Sequence, residues 1–506
     1  MEVQMRGIPR RGVALAAAVI LPLTLATPAQ ATPLGDLFVR KAVHAVNGKN
    51  LTEHLKRFQQ IADAHGGTRS RGTPGYDASV DYVAGKLRKA GYRVRTTAVE
   101  FPQNWTELSP PVLSQTAPEA TTYTNPADYV TVVSSGSGDV TAQVQGVDLV
   151  IPPAPTPNTS TSGCQTADFD GFVAGRIALI QRGTCPFIDK ARNAKAAGAA
   201  GVIFFNEGQP GRTDPFAFDI GEWRLGFPVV FASTATGLDL ADPAGTTVRL
   251  KVDARTEVGT TRNVIADSPR GRPDNVVMVG AHLDSVPEGP GLNDNATGSA
   301  AILETALKIA KFPVRNRVRF AFWGAEEAGL LGSTQYVEGL PTAERNKIRL
   351  YLNFDMVGSP NYAYKIYDGD DSDATGSPAG PPGSAQIEKV FEKFYDQRSL
   401  GHVGTDFDGR SDYGPFIAIG IPAGGLFTGA EGLKTPAEAQ LFGGQAGVAY
   451  DVCYHLACDT LANVNTTALD VNADAIATAT VTFAFNTAQI PPRTTGSGRT
   501  ATTAAR

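Results

Sequence analysis

The chain has 506 residues, of which 42% are hydrophobic and 19% charged, and its formal net charge is −5. That length exceeds what one hydrophobic core organises, so two or more domains are expected, and the ordinary apolar content excludes a disordered or fibrous protein. The mild acidity, with no basic stripe interleaved with aromatics, argues against a nucleic-acid partner.

Residues 1–31 have the form of a secretory signal. Arg6, Arg10 and Arg11 make a basic start, 13–26 is apolar, and Ala29-Gln30-Ala31 is a small-x-small cleavage site. The apolar stretch contains Pro22 and is shorter than the about 20 residues a membrane span needs, so export is expected rather than anchoring. No later segment is long and apolar enough to span a bilayer. Helical spacing runs through 36–66, with Leu51, Leu55, Phe58 and Ile61 on one face. A second amphipathic helix is predicted at 76–90 and an alternating strand at 92–101. Residues 103–130, rich in Pro, Thr and Ser, have a linker signature. From 125 to 256 short Val-rich strands alternate with Gly and Pro turns. A strand at 176–180, an Ala-rich helix at 188–199 and a buried strand at 201–206 make this a β-rich module inserted into a larger domain, 36–118 and 258–488.

The larger domain resumes with strands at 275–281, 318–323 and 350–354 and helices at 297–309, 327–338 and 385–397. A last apolar stretch covers 416–419 and 422–427. This alternation predicts an α/β fold, a mostly parallel mixed sheet sandwiched by helices. Ligands bind such sheets outside the carboxyl ends of the strands. Residues 491–506 lack an apolar period and are expected to be disordered. Four cysteines suit an exported protein, and the local pairs Cys164–Cys185 and Cys453–Cys458 are favoured. A Cys-rich zinc site is disfavoured because no C-x-x-C pair occurs.

Six residues carry the chemistry. His282 lies in A-H-L-D-S, Asp294 in G-L-N-D-N, Glu326-Glu327 after W-G-A, Asp355 in N-F-D-M-V-G and His455 in C-Y-H-L-A-C-D. His282, the Glu pair and Asp355 fall at or just past predicted strand ends. Peptide hydrolysis by metal needs a polarised carbonyl, an activated water and a proton shuttle, and two zinc ions supply the first two. Five ligands with one bridging make two three-ligand shells, and His282, Asp294, Glu327, Asp355 and His455 are that set. Glu326 and Glu327 are adjacent, so one ligates and the other faces the water; the base is assigned to Glu326. Asp284, two residues past His282, is expected to accept the second ring N–H. Tyr454 is expected to donate to the tetrahedral oxyanion. Taken singly, each position has a bland reading. Asp294 suits a turn, the Glu pair a helix start, Asp355 a cap and His455 a packed histidine. None of these explains why all are carboxylates or imidazoles. His44, His54, His65 and His402 lack such context and are read as non-catalytic.

At these motifs the chain resembles the co-catalytic di-zinc aminopeptidases, the family that includes aminopeptidase Y and glutamate carboxypeptidase. The resemblance implies the zinc exopeptidase fold and a secreted, extracellular enzyme that releases N-terminal residues, preferably large apolar ones. One zinc would take His282 and Asp355, the other Glu327 and His455, with Asp294 bridging, Glu326 the base and Tyr454 the transition-state donor. Gly183-Thr184-Cys185-Pro186-Phe187 and the helix after it resemble a protease-associated domain. Segments 409–416 and 424–429 look like pocket linings, in which Met356 and Phe427 would meet an apolar side chain. The backbone of Arg410, with Glu326 and Asp355, would hold the substrate ammonium. Some relatives also bind calcium, at a site this sequence does not place. The implied partners are peptides with a free N-terminus, acted on by a monomer. The rivals are a carboxypeptidase or dipeptidase of the same fold, a non-catalytic binding protein, and a one-zinc glutaminyl-cyclase-like enzyme.

Overall fold

The computed structural model describes residues 33–374 and 379–492. The expected signal segment, and the expected disordered tail from 493 onward, lie outside the described residues. Helices α1 (Pro33–Ala45), α2 (Gly48–Ala64) and α3 (Pro74–Lys89) open the fold. Asn47 and Thr73 cap α2 and α3 by accepting from the N–H three residues on, and Pro74 sits where its missing N–H costs nothing. The predicted apolar stripe of α2, Leu51, Leu55, Phe58 and Ile61, is buried.

Strand β1 (Arg93–Ala117) corrects the linker expectation. It runs straight through the Pro-rich segment and pairs along its length with antiparallel β2 (Thr247–Asp267). Proline cannot donate to a ladder, so it belongs at bulges and edges. Pro102 stands at a break in register, and Pro110 and Pro111 fall inside another, between Ser109 and Val112. Composition alone marks these residues as loop; the bulges are what let them remain strand.

Strand β2 joins two sheets. Its carboxyl end pairs with β4 (Asn316–Trp323) and its amino end with Gly138–Val147 of the insert. Beyond β4 the peptidase sheet continues through β3 (Arg272–His282), β5 (Ile348–Phe354) and β6 (Ala423–Phe427), mutually parallel. Their carboxyl ends therefore share one edge. Helices α1 to α3, α4 (Thr297–Ile309) and α5 (Thr466–Phe485) cover one face. On the other, Trp323, Tyr351 and Phe416 pack, with Tyr351 and Phe416 stacked at 4.0 Å. Helix α5 is buried almost all round, so it carries no amphipathic period to read. The insert has its own core around parallel, fully buried strands Ile177–Gln181, Gly201–Phe205 and Val229–Ala232. Both expected disulfides are present, Cys164–Cys185 and Cys453–Cys458. Among the described residues no helix is long and apolar enough to cross a membrane.

Candidate active site

His282 is the last residue of β3, Asp355 follows β5, and Glu326-Glu327 occupy the turn after β4. The helix expected at 327–338 starts at Leu331 instead, because the turn needs positive φ at Ala325, Gly329 and Leu330. Met356 and His455 also take positive φ (46° and 58°), costly for residues with a Cβ and typical of functional sites.

The expected residues converge. His282 Nε2 lies 3.0 Å from Asp294 Oδ1 and 3.2 Å from Asp355 Oδ1, with Glu326 Oε2 at 3.9 Å. His455 Nε2 lies 3.3 Å from Asp294 Oδ2 and 3.0 Å from Glu327 Oε2. The two oxygens of Asp294 thus face two different imidazoles. Donor atoms of His282, Asp294 and Glu327, and of His282, Glu326 and Asp355, fall within 4.8 Å of one another. Glu326 is therefore as close to one donor group as the expected ligands are.

Electrostatics explain why this arrangement fits cations. Four buried or nearly buried carboxylates face two imidazoles. Burial pushes Glu327 up to about 7, helped by the charge of Asp294. Burial likewise raises Glu326 well above the carboxylate range, with Glu327, Asp412 and Asp355 adding repulsion. Burial opposes charge on His455, but its bonds to Asp294 and Glu327 win and lift it to about 10. Glu327 Oε1 is buried with no partner. An excess of buried carboxylate oxygens, one of them orphaned, with imidazole nitrogens among them, is the donor set of two zinc ions.

Neighbouring groups fix this cluster. His282 Nδ1 lies 3.1 Å from the main-chain oxygen of Asp284, whereas the Asp284 carboxylate is 3.8 Å away. The acceptor on Asp284 is its backbone carbonyl rather than its carboxylate, which puts the proton on Nδ1 and leaves Nε2 to the cluster. The Asp284 carboxylate instead accepts from the Glu326 N–H at 3.2 Å. Ser411 donates to Asp355 Oδ2 at 2.6 Å. Asp459, the last residue of C-Y-H-L-A-C-D, accepts from the N–H groups of Asn293 (2.8 Å) and Asp294 (3.0 Å). It ties the loop of Asp294 to that of His455. Arg69, fully buried, donates to the carbonyls of Leu283, Pro290 and Gly291 at 2.6, 2.9 and 2.6 Å. It clamps the chain between His282 and Asp294. Sequence reasoning missed Ser411, Asp459 and Arg69. Asp459 could have been found by its place in the His455 motif; Arg69 had no signal, since its partners are main-chain atoms over 200 positions away.

Tyr454 stacks on the His455 ring at 3.8 Å and accepts from Arg410 Nη2 at 3.2 Å. Arg410 also pairs with Glu431 at 2.9 Å. A cavity of about 370 Å³ opens onto the cluster, lined on its apolar side by Leu330, Met356, Tyr367, Phe427 and Ala430. His54 bonds Tyr82 and Glu304 in the helical layer, away from the cluster. One further acidic group, Asp368, Asp370 and Glu388, occurs among the described residues. Asp368 and Glu388 accept from the N–H groups of Ser372, Asp373 and Gly369, and Asp370 faces Lys389. The group braces its own loop and supports no calcium assignment.

Known proteins share both parts. Residues 263–480 match peptidase family M28 and residues 145–240 match the PA domain. Over 472 residues the chain is 48% identical to an aminopeptidase of Pseudomonas aeruginosa, covering 93% of this chain and 86% of that one. It is 40% identical over 476 residues to a probable lipoprotein aminopeptidase of Mycobacterium tuberculosis, covering 91% and 90%. The solved aminopeptidase of Aneurinibacillus sp. strain AM-1 superposes with a TM-score of 0.52 at 27% identity, covering 87% of this chain and 95% of that one. A shared fold, a matching donor set and this identity over nearly the whole length agree: the chain belongs to peptidase family M28 and carries a PA domain inserted in its peptidase fold.

Proposed function

We propose that this metallo-aminopeptidase removes large apolar residues from the free N-termini of peptides outside the cytoplasm, acting as a monomer. The observation that carries the proposal is Asp294, whose two oxygens face His282 and His455 at 3.0 and 3.3 Å. His282 and Asp355 would hold one zinc, Glu327 and His455 the other, and Asp294 both. When bound, the zinc pair supplies Lewis-acid polarisation of the scissile carbonyl and a water of lowered pKa.

The protein's own groups do the rest. Glu326 takes the proton of the attacking water and returns it to the leaving amine. Its raised affinity for a proton, caused first by burial, suits that traffic. Tyr454 donates its phenolic proton to the oxyanion, and Arg410 holds the phenol in place. Glu326, Asp355 and the Arg410 main chain surround the substrate ammonium, while Met356 and Phe427 receive its side chain. A carboxypeptidase would need a free cation in this cavity. Arg410 is the lining residue of that kind, and Glu431 neutralises it. Two disulfides and the Mycobacterium tuberculosis relative, described as a lipoprotein, support a place outside the cytoplasm; secretion into the medium is the finer proposal. Leucine anilide should be cleaved and N-acetyl-leucine anilide should not. Equal rates on the two would remove the ammonium pocket and with it the aminopeptidase mechanism.

A further inference from the structure

The peptidase sheet has a second charged end. Arg272 begins β3, Asn316 begins β4, and Lys347 immediately precedes β5. These strands are parallel, so a groove at their amino ends lies opposite the cluster at their carboxyl ends. The 11 residues of β3 separate the two by roughly 30 Å at the usual rise per residue. The groove encloses about 650 Å³ and is lined by Arg272, Arg315, Lys347, Arg349 and one acid, Asp274. That volume falls in the range of small-ligand sites.

Its charge is not balanced. Lys347 pairs with Glu344. Arg272 Nε is held by the amide oxygen of Asn316 at 3.2 Å, and Arg349 by the carbonyl of Ile490. Both guanidinium groups are thus oriented by neutral acceptors that fix them without cancelling their charge. Arg315, exposed, has no side-chain partner among the described residues. Counting Glu344 against Lys347 and Asp274 against one arginine, the groove keeps two uncompensated positive charges in a chain of net charge −5. Burial first, and then the charge of neighbouring Arg272, lowers the proton affinity of Arg349. Beneath them, Asn275 and Asn316 form a closed network with Thr487 and the Phe483 carbonyl. The floor is therefore rigid and neutral.

We propose that this groove binds a small ligand carrying two or more phosphate or sulfate groups. Guanidinium groups recognise tetrahedral oxyanions through paired N–H donors, and two or three held around one depression match a ligand with more than one such group. Because the groove lies behind the catalytic edge, the bound anion leaves the peptide cavity open. The ligand is either a free small anion or the end of a polymer bearing the same groups.

The test is calorimetric titration of the zinc-loaded protein at low salt with a trisulfated heparin disaccharide, and separately with a sulfated dodecasaccharide. One saturable site per chain is expected, with leucine-anilide turnover unchanged at saturation. Arg349→Ser and Arg315→Ser should each weaken binding by about tenfold or more. Arg315 supports no other group, so its replacement does not threaten folding. Tighter binding of the dodecasaccharide identifies the polymer as the source, and equal affinity the free anion. No saturable binding of either probe, or an affinity unmoved by Arg315→Ser, overturns the proposal.

Discussion

The peptidase sheet and the insert are both built on parallel strands, yet the carboxyl ends of their strands differ in one respect. In the insert, the buried charged side chains there each meet an ion-pair or hydrogen-bond partner, although Gln209 Oε1 and Arg212 Nε stay unpartnered. Glu207 faces Arg212 at 3.2 Å and accepts from the Asn158 N–H, and Arg182 donates to Asn206. Lys190, wholly buried, donates to the carbonyls of Ser162 and Gln181. In the peptidase sheet, four carboxylates crowd two imidazoles, and Glu327 Oε1, Asp284 Oδ2 and Asp412 Oδ1 find no partner. Buried polarity is common to both, and what marks the functional end is a crowd of like-charged carboxylates around shared imidazoles.

That contrast can be broken from either side. The largest effect should come from Glu326. Glu326→Ala should keep its zinc and lose about a hundredfold or more in kcat, the loss expected for a positioned base. Unchanged turnover in steady-state assays would remove Glu326 from that role, and loss of zinc would place it in the ligand set, where its 3.9 Å distance from His282 also allows it. Asp459→Ala comes next. It removes the acceptor that joins the loops of Asp294 and His455, so zinc affinity measured by chelator competition should fall about ten- to a hundredfold, as for other residues that orient ligands. If zinc affinity held while only thermal stability fell, Asp459 would be purely a packing residue.

The insert should respond in the opposite way, with an effect on stability and none on zinc. Burial pushes the Lys190 amine down to about 8 from its usual 10.5. Between those values the unfolded chain binds the proton more tightly than the folded one. Stability should therefore rise as pH increases from about 8 to 10.5. Lys190→Met should flatten that rise in urea titrations and leave zinc content untouched. A rise that persists in the variant would place the titrating group elsewhere.

The same contrast accounts for what the sequence makes legible. His282, Glu326-Glu327 and Asp355 could be read because each sits at a strand end, where a buried apolar run breaks into charge. Asp294 and His455 needed their motifs, since neither ends a strand. Strand β1 was hidden because its prolines look like loop until bulges accommodate them, and α5 because a helix buried all round has no polar face. Spacing of two residues points to Asp284 as the partner of His282 but cannot distinguish its side chain from its own carbonyl. Arg69 stayed invisible for the same reason on a larger scale: its partners are backbone oxygens far along the chain.

The central claim is that the crowded carboxyl edge of the peptidase sheet is held together by two cations. Zinc content of the purified protein, dialysed after saturation and measured by mass spectrometry, tests it most directly. About two zinc ions per chain are predicted, falling below one in Asp294→Ala because both positions lose a donor. A wild-type value that stays at one, or a variant that still retains two, would contradict it.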